Sequence, residues 1–242
     1  PALAEPAPRA HIPCMLKFTP ILLAVLYAIA MYRFSVWRTH RDLDARSTEL
    51  ADPRLKRLTD RLAASLGIAH IPVYIYEIDP VNGLAAPDGR IFITRGFYRK
   101  YRNGEVTGEE MASVIAHELG HVALGHARRR MLDFSGQNAL RTALIMVLGR
   151  IIPVAGVWIA NALTGLLAAR LSRGDEYEAD EYAAALLTKA GIGLGPQKSL
   201  FAKLEDLTQS RAGVAPAWLM SHPKTTERIA ALDRLEARWG RT

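Results

Sequence analysis

One cysteine in 242 residues, Cys14, leaves no partner for an internal disulfide and too few thiolates for a multi-cysteine metal site. No apolar run precedes it, and His11-Ile12-Pro13 is unlike a lipoprotein cleavage site, which argues against lipid attachment there. There is no internal repeat, and no low-complexity tract beyond the Pro- and Ala-rich start, PALAEPAPRAHIPC, which reads as unstructured. The net charge of +7 is not gathered into a stripe: the basic residues are dispersed and carry no interleaved aromatics. Nucleic acid is therefore not an expected partner. Arg128-Arg129-Arg130 suits a helix C-terminus, and basic clusters near apolar segments suit anionic lipid headgroups.

What is present is apolar residues at 50% and enough length for one domain plus an appendage. Residues 1–17 read as a disordered N-terminus, with Met15 resembling a natural start. From Phe18 to Tyr32 the chain is apolar without a charge, and Phe34, Val36 and Trp37 extend the run past Arg33. A spanning helix needs ~20 residues, so 18–38 is expected to be a membrane anchor, with Arg33 snorkelling and Trp37 at the interface. A cleaved signal peptide would need a small-x-small site after the run, and none follows. The expected location is thus the cell (inner) membrane, with a single N-terminal anchor. Arg33, Arg38, Arg41 and Arg46 follow the run and only Lys17 precedes it after Met15, which leans to a cytoplasmic catalytic side and leaves the opposite side open.

Asp52-Pro53 opens an amphipathic helix with Leu55, Leu58, Leu62 and Leu66 on one face and Gly67 to stop it. Val73–Ile78 and Arg90–Thr94 read as strands, joined by Asn82-Gly83 and Pro87-Asp88-Gly89 turns. Everything after Gly96 reads as helical. Thr107 and Glu110 have capping-box spacing, so a helix is expected from there to about Arg130. Later helices are expected near 173–190, 196–210 and 225–239. Residues 142–169 form a second apolar stretch, interrupted by Arg150 and Pro153.

The strongest chemical signal is His117-Glu118-Leu119-Gly120-His121. Positions i and i+4 share a helix face, so both imidazoles can reach one metal ion. Glu118 is turned ~100° from His117, still beside the metal's open position, where a carboxylate can take a proton from water. A catalytic zinc needs a third protein ligand. His126 lies nine positions after His117 and Gly125 eight, whereas the three-histidine pattern wants ten and seven. His126 is accordingly expected to sit near a helix end, touching carbonyls or solvent. In Ser172–Asp180, Glu176 and Asp180 share a face four residues apart. Glu176 can serve as the ligand and Asp180 can hold a ligand histidine's other nitrogen. An acidic helix N-terminus serving the dipole fits the same residues.

The pattern AHELGHVALGH, then SRGDEYEAD, then WLMSHPKTTERIAALDRL resembles the gluzincin metallopeptidases of the HtpX and CAAX prenyl protease group. Within that group it is most similar to the subgroup of OMA-type and BepA-type quality-control proteases. The resemblance covers about residues 50–238. It implies one Zn2+ per chain on His117, His121 and Glu176, with Glu118 as general base and Asp180 behind a ligand histidine. It further implies that His222 faces the metal, either stabilising the oxyanion or occupying the open position at rest, and that Arg228 lies near the cleft. Asn82, Gly83, Leu84 and Ala85 resemble the group's substrate-binding strand, although Gly83 stands where the group usually has Ala.

The expected fold is α+β: a mostly helical zinc metallopeptidase domain over 50–240, with a small sheet bordering the cleft and the N-terminal anchor helix before it. An edge strand can hold a protein or peptide substrate by main-chain hydrogen bonds. Membrane lipid is the second expected partner; the sequence fixes no oligomeric state. The metal also constrains topology. His121 precedes the apolar insert 142–169 and Glu176 follows it, so one crossing is excluded if both bind one ion. Two crossings need ~40 residues plus a turn, and the insert supplies 28. It should be a buried hairpin or a membrane-facing flap. The expected activity is endopeptidase action on misfolded or membrane proteins. The rival is a membrane adaptor or chaperone that keeps the fold without cleaving, and a zinc hydrolase of non-peptide amides is a third reading.

Overall fold

The computed structural model describes residues 14–86, 88–152, 155–210, 222 and 225–239. The expected disorder up to residue 13, and Pro87, Pro153 and Pro223, lie outside them. The chain divides into two compact units after Arg46. The first is one long helix, α1 (Cys14–Ala45), along which the apolar run Phe18–Tyr32 falls. Cys14–Lys17, expected to be disordered, are its first residues.

The second unit begins with β1 (Ser47–Glu49), a strand too short and polar to announce itself in the sequence. Helix α2 (Pro53–Leu66) forms as its residues dictate. The Asp52 side chain accepts from the Arg54 and Leu55 amides at 3.0 Å each, Pro53 opens the first turn, and Gly67 closes the helix at φ 71°. Leu55, Leu58 and Leu62 are buried. Strands β2 (Val73–Tyr76), β3 (Gly83–Ala85) and β4 (Ile91–Thr94) complete a four-stranded sheet of order β1-β2-β4-β3. β2 and β4 run parallel, and β1 and β3 are antiparallel edges. β2 alternates buried Val73 and Ile75 with half-buried tyrosines, as a sheet covered on one face should.

The rest is helical: α3 (Arg95–Arg102), α4 (Gly108–Ala123), α5 (His126–Ile151), α6 (Ala155–Lys189), α7 (Gly195–Ser210) and α8 (Thr225–Trp239). Two expected boundaries are wrong. The helix expected to reach Arg130 stops at Ala123, because Gly125 adopts the left-handed conformation (φ 66°) and starts α5 afresh. The helix expected from 173 is the second half of α6, continuous for 35 residues. Nor is the apolar insert a buried hairpin. It forms the end of α5 and the start of α6, packed on each other, with Met146 and Trp158 exposed at 66% and 75%.

α4 lies at the centre, against α2, α6, α7, β3 and β4. Met111, Val114, Ile115 and Ala116 are all buried, so the helix is covered all round. Its N-terminus is fixed by the capping box read from sequence: the Glu110 amide donates to Thr107 Oγ1 at 3.1 Å, and the Thr107 amide to Glu110 Oε2 at 2.7 Å. Glu110 also accepts from Ser199 Oγ (2.7 Å) and Lys203 Nζ (2.9 Å) of α7. Burial would raise its pKa, but Lys203 and these donors hold it below the usual carboxylate value. Thr107→Ala should cost about 1 kcal/mol as a lost cap. Glu110→Ala should cost more, since it also strips α7 of its acceptor. Urea unfolding of the two variants at neutral pH checks this; equal losses would mean that the α7 contacts contribute nothing.

Candidate metal centre and active site

α4 and α6 approach so closely that a Cβ on Gly120 would stand 3.0 Å from the Ala179 backbone. That crossing turns His117 and His121 toward Glu176 and Asp180 across the interface. All four side chains are buried, as is Glu118. His117 Nε2 lies 3.1 Å from His121 Nε2 and 3.4 Å from Glu176 Oε2, and His121 Nε2 lies 3.6 Å from Glu176 Oε1. Tetrahedral zinc with bonds of ~2.0–2.1 Å has ligand–ligand edges of about 3.3–3.4 Å. The donor spacing therefore fits such an ion, and the donor set, two imidazoles and a carboxylate, suits it chemically.

A fourth donor sits with these three. His222 Nδ1 is 2.6 Å from Glu176 Oε2 and 3.4 Å from His117 Nε2, and its Nε2 faces Glu118 Oε1 at 3.6 Å. His117, His121, Glu176 and His222 thus form one group able to hold a metal ion. Glu118 Oε1 is buried and has no hydrogen-bond partner among the described residues. An orphaned carboxylate oxygen is costly unless a substrate or solvent proton comes to it.

Behind the group stands a layer of orienting contacts. His117 donates from Nδ1 to Asp180 Oδ1 at 2.9 Å, which points its Nε2 at the centre. Asp180 in turn accepts from Arg228 Nε (2.5 Å) and Nη2 (2.7 Å), and from Gln197 Nε2 (3.2 Å). Arg228, expected near the cleft, is 1% exposed and grips Asp180 from behind. It also donates to the His222 carbonyl at 3.3 Å and packs 4.3 Å from the Phe201 ring. Burial disfavours the charged form of His117, but Asp180 and then Glu176 outweigh it and raise its pKa to about 9. Burial, with the positive His117 next to it, drives His121 far down. Burial alone would raise Glu176, yet His117 and His222 hold it well below the carboxylate range. The three groups share one proton economy, which a bound cation displaces.

His126 departs from expectation. It is fully buried, with Nδ1 2.7 Å from His121 Nδ1 and Nε2 3.2 Å from Glu178 Oε2. With His121 Nε2 facing the centre, His121 Nδ1–H donates to His126 Nδ1, and His126 Nε2–H donates to Glu178. This chain orients His121 as Asp180 orients His117. Spacing missed it because the αL turn at Gly125 folds residue 126 back on residue 121. His126, Asp175 and Glu178 also cluster. Their carboxylates, however, already accept from Arg129 (3.1 and 2.9 Å) and Arg130 (3.0 Å), so the cluster is an ion-pair network.

The expected substrate strand, Asn82–Ala85, borders this site as sheet edge β3 (Gly83–Ala85). Thr94 N donates to Asn82 O, and Ala86 N to Arg90 O, so alternation turns the backbone groups of Gly83 and Ala85 away from β4. A Cβ on Gly83 would lie 2.8 Å from Val114 Cγ1 and 3.4 Å from Glu118 Oε1. Glycine here lets the edge run directly past Val114 and Glu118.

Comparison with known proteins matches residues 49–236 to peptidase family M48. The chain is 29% identical over 185 residues to the metalloprotease LoiP of Escherichia coli, covering 76% of this chain and 70% of that protein. It is 29% identical over 179 residues to the mitochondrial metalloendopeptidase OMA1 of Bos taurus, covering 70% and 33%. To the beta-barrel assembly-enhancing protease of Yersinia pestis it is 28% identical over 207 residues, covering 78% and 40%. Each is named a protease, and the non-cleaving adaptor gains no support. With a metal-competent donor group on the α4–α6 crossing and a family match across most of the second unit, the chain belongs to peptidase family M48 and is a metalloendopeptidase.

Proposed function

We propose that this chain is a membrane-anchored zinc endopeptidase that cleaves misfolded or membrane-bound proteins. His117, His121 and Glu176 would hold one zinc, and Glu118 would be the general base. The observation that carries this is the spacing of those three donors at tetrahedral-edge distances beside a buried, unsatisfied Glu118 oxygen. Bound zinc supplies a Lewis acid for the scissile carbonyl and lowers the pKa of its water. Glu118 accepts the proton of the attacking water and passes it to the departing amine. An extended peptide added to the outer edge of β3 would run beside Glu118, held by main-chain bonds to the Gly83 carbonyl and to Ala85, since the Gly83 amide donates to Asn82 Oδ1 at 3.0 Å, with loose sequence preference. Asp180, Arg228 and His126 hold the two imidazoles in the tautomers that the metal needs. The Phe18–Tyr32 run of α1 supports the anchor.

His222 Nδ1 is at hydrogen-bond distance from Glu176 Oε2 (2.6 Å) and 3.4 Å from His117 Nε2, beside the open position, which supports a role there either as a resting cap or as an oxyanion donor. A cap would withhold the open position from substrate, and a donor would stabilise the oxyanion there.

Glu118→Gln should abolish casein cleavage while zinc content and melting temperature stay near wild type; activity within tenfold of wild type would refute the base assignment. Metal retention should be graded. Glu176→Ala should lose stoichiometric zinc outright, whereas His126→Ala should weaken affinity roughly 10–100-fold, as loss of an orienting partner does. Chelator competition reads both, and an unchanged His126→Ala affinity would reduce that residue to packing. His222→Ala should raise activity if it caps the metal. A fall of roughly 10²–10³ in rate with unaltered substrate binding would instead make it an oxyanion donor.

A further inference from the structure

The hairpin made by the end of α5 and the start of α6 is built inside out for a protein in water. Its seam is lined by Gly156, Ala160 and Thr164, small residues four apart, all buried. A Cβ on Gly156 would meet the Leu148 carbonyl at 2.5 Å, so the two backbones touch. Thr164 keeps its hydroxyl bonded to the Ala160 carbonyl at 2.8 Å. Close contact through small-xxx-small spacing, with hydroxyls bonded within their own helix, is how helices pair where lipid replaces water. The large apolar side chains point the other way: Met146, Ile151, Trp158 and Leu166 are 66–75% exposed. A patch of this kind on a protein surface marks an interaction site.

The charges identify the partner. From residue 134 to residue 174 there is no acidic side chain, and the four charged residues are Arg141, Arg150, Arg170 and Arg173. We propose that this hairpin is a membrane-docking element, immersed in one leaflet of an anionic bilayer with its arginines at the headgroup phosphates. A second copy of the chain is a poorer occupant, since pairing two such faces brings like charges together. Depth is bounded by length. The arm Leu140–Ile151 rises about 18 Å at ~1.5 Å per residue, against a hydrocarbon core of ~30 Å. Although α6 is long and apolar enough to cross a membrane, its buried second half carries Glu176 and Asp180 beside α4, so only its first half is free to enter lipid. Arg150, close to the tip, makes deep end-on insertion costly, so the hairpin lies along the interface.

The test reads the local environment of the hairpin and is independent of cleavage and of α1. In a Cys14→Ser background of the full chain, Trp158→Cys and Leu166→Cys carry an environment-sensitive fluorophore. Ala185→Cys, exposed further along α6, is the reference. The protein is reconstituted in phosphatidylcholine–phosphatidylglycerol vesicles containing acyl-chain nitroxide lipids. Both hairpin probes should be quenched several-fold more than the reference, and less so in phosphatidylcholine alone. Quenching equal to the reference would overturn the proposal. So would hairpin probes that are shielded from nitroxide yet transfer energy between chains, which would give the face to a second copy. Quenching unchanged without phosphatidylglycerol would remove the anionic headgroup from it. None of these outcomes bears on the peptidase assignment.

Discussion

Where α4 crosses α6, the helices come so close that even a Cβ at Gly120 would stand 3.0 Å from the Ala179 backbone. The juxtaposition of the groups that α4 and α6 contribute follows from that contact. His117 and His121, one turn apart on α4, and Glu176 and Asp180, one turn apart on α6, can meet only if the two axes come this close. A side chain at 120 would press on the Ala179 backbone and on Tyr182 Cβ, at 3.0 and 3.3 Å from its Cβ, and so act directly on the helix that carries Glu176 and Asp180. The capping box at Thr107 and the α7 contacts of Glu110 fix where α4 begins, and hence the height of its histidines against α6.

Closeness brings ionisable groups into a dry interior, and this has to be offset. Glu176, Asp180 and Asp175 are each at most 3% exposed, and none is left without a positive partner. Asp180 has the Arg228 fork, Asp175 has Arg129 and Arg130, and Glu176 has the two histidines and Arg130. Buried ion pairs of this kind add little net stability, because desolvation takes back most of the Coulombic gain. What they add is orientation. Arg228 ties α6 to the His222 segment through one guanidinium, so the last helix of the chain is joined to the first metal-seeking histidine by two hydrogen-bonded steps.

How much of this was legible depended on whether the signal was local. His117, Glu118 and His121 are read from five consecutive residues, and the capping box from four, because helical spacing alone fixes their geometry. Glu176 needed the resemblance, since sequence alone cannot separate a ligand from an acidic helix start. His126 was misread because the pattern was counted along a helix that Gly125 interrupts. Strand β1 was missed because Ser47–Glu49 gains its order from pairing with β2, a partner some 25 residues away in sequence that no local propensity announces.

The long helix α6 was misread for a different reason, and that reason ties the two ends of the molecule's chemistry together. In its first half the buried side is the Gly156–Ala160–Thr164 seam against α5; in its second half it is Glu176, Ala179, Asp180 and Ala183 against the core. At ~100° per residue these stripes lie on opposed sides of the helix, so no single apolar face persists and the sequence reads as two segments. Trp158 and Glu176 are about five whole turns apart and therefore point in nearly the same direction. The direction in which Trp158 points out of the hairpin is thus the direction in which Glu176 faces α4 and the metal-seeking histidines further along. An unbroken helix fixes that relation, so whatever surface covers Trp158 also sets the orientation of the catalytic group relative to it.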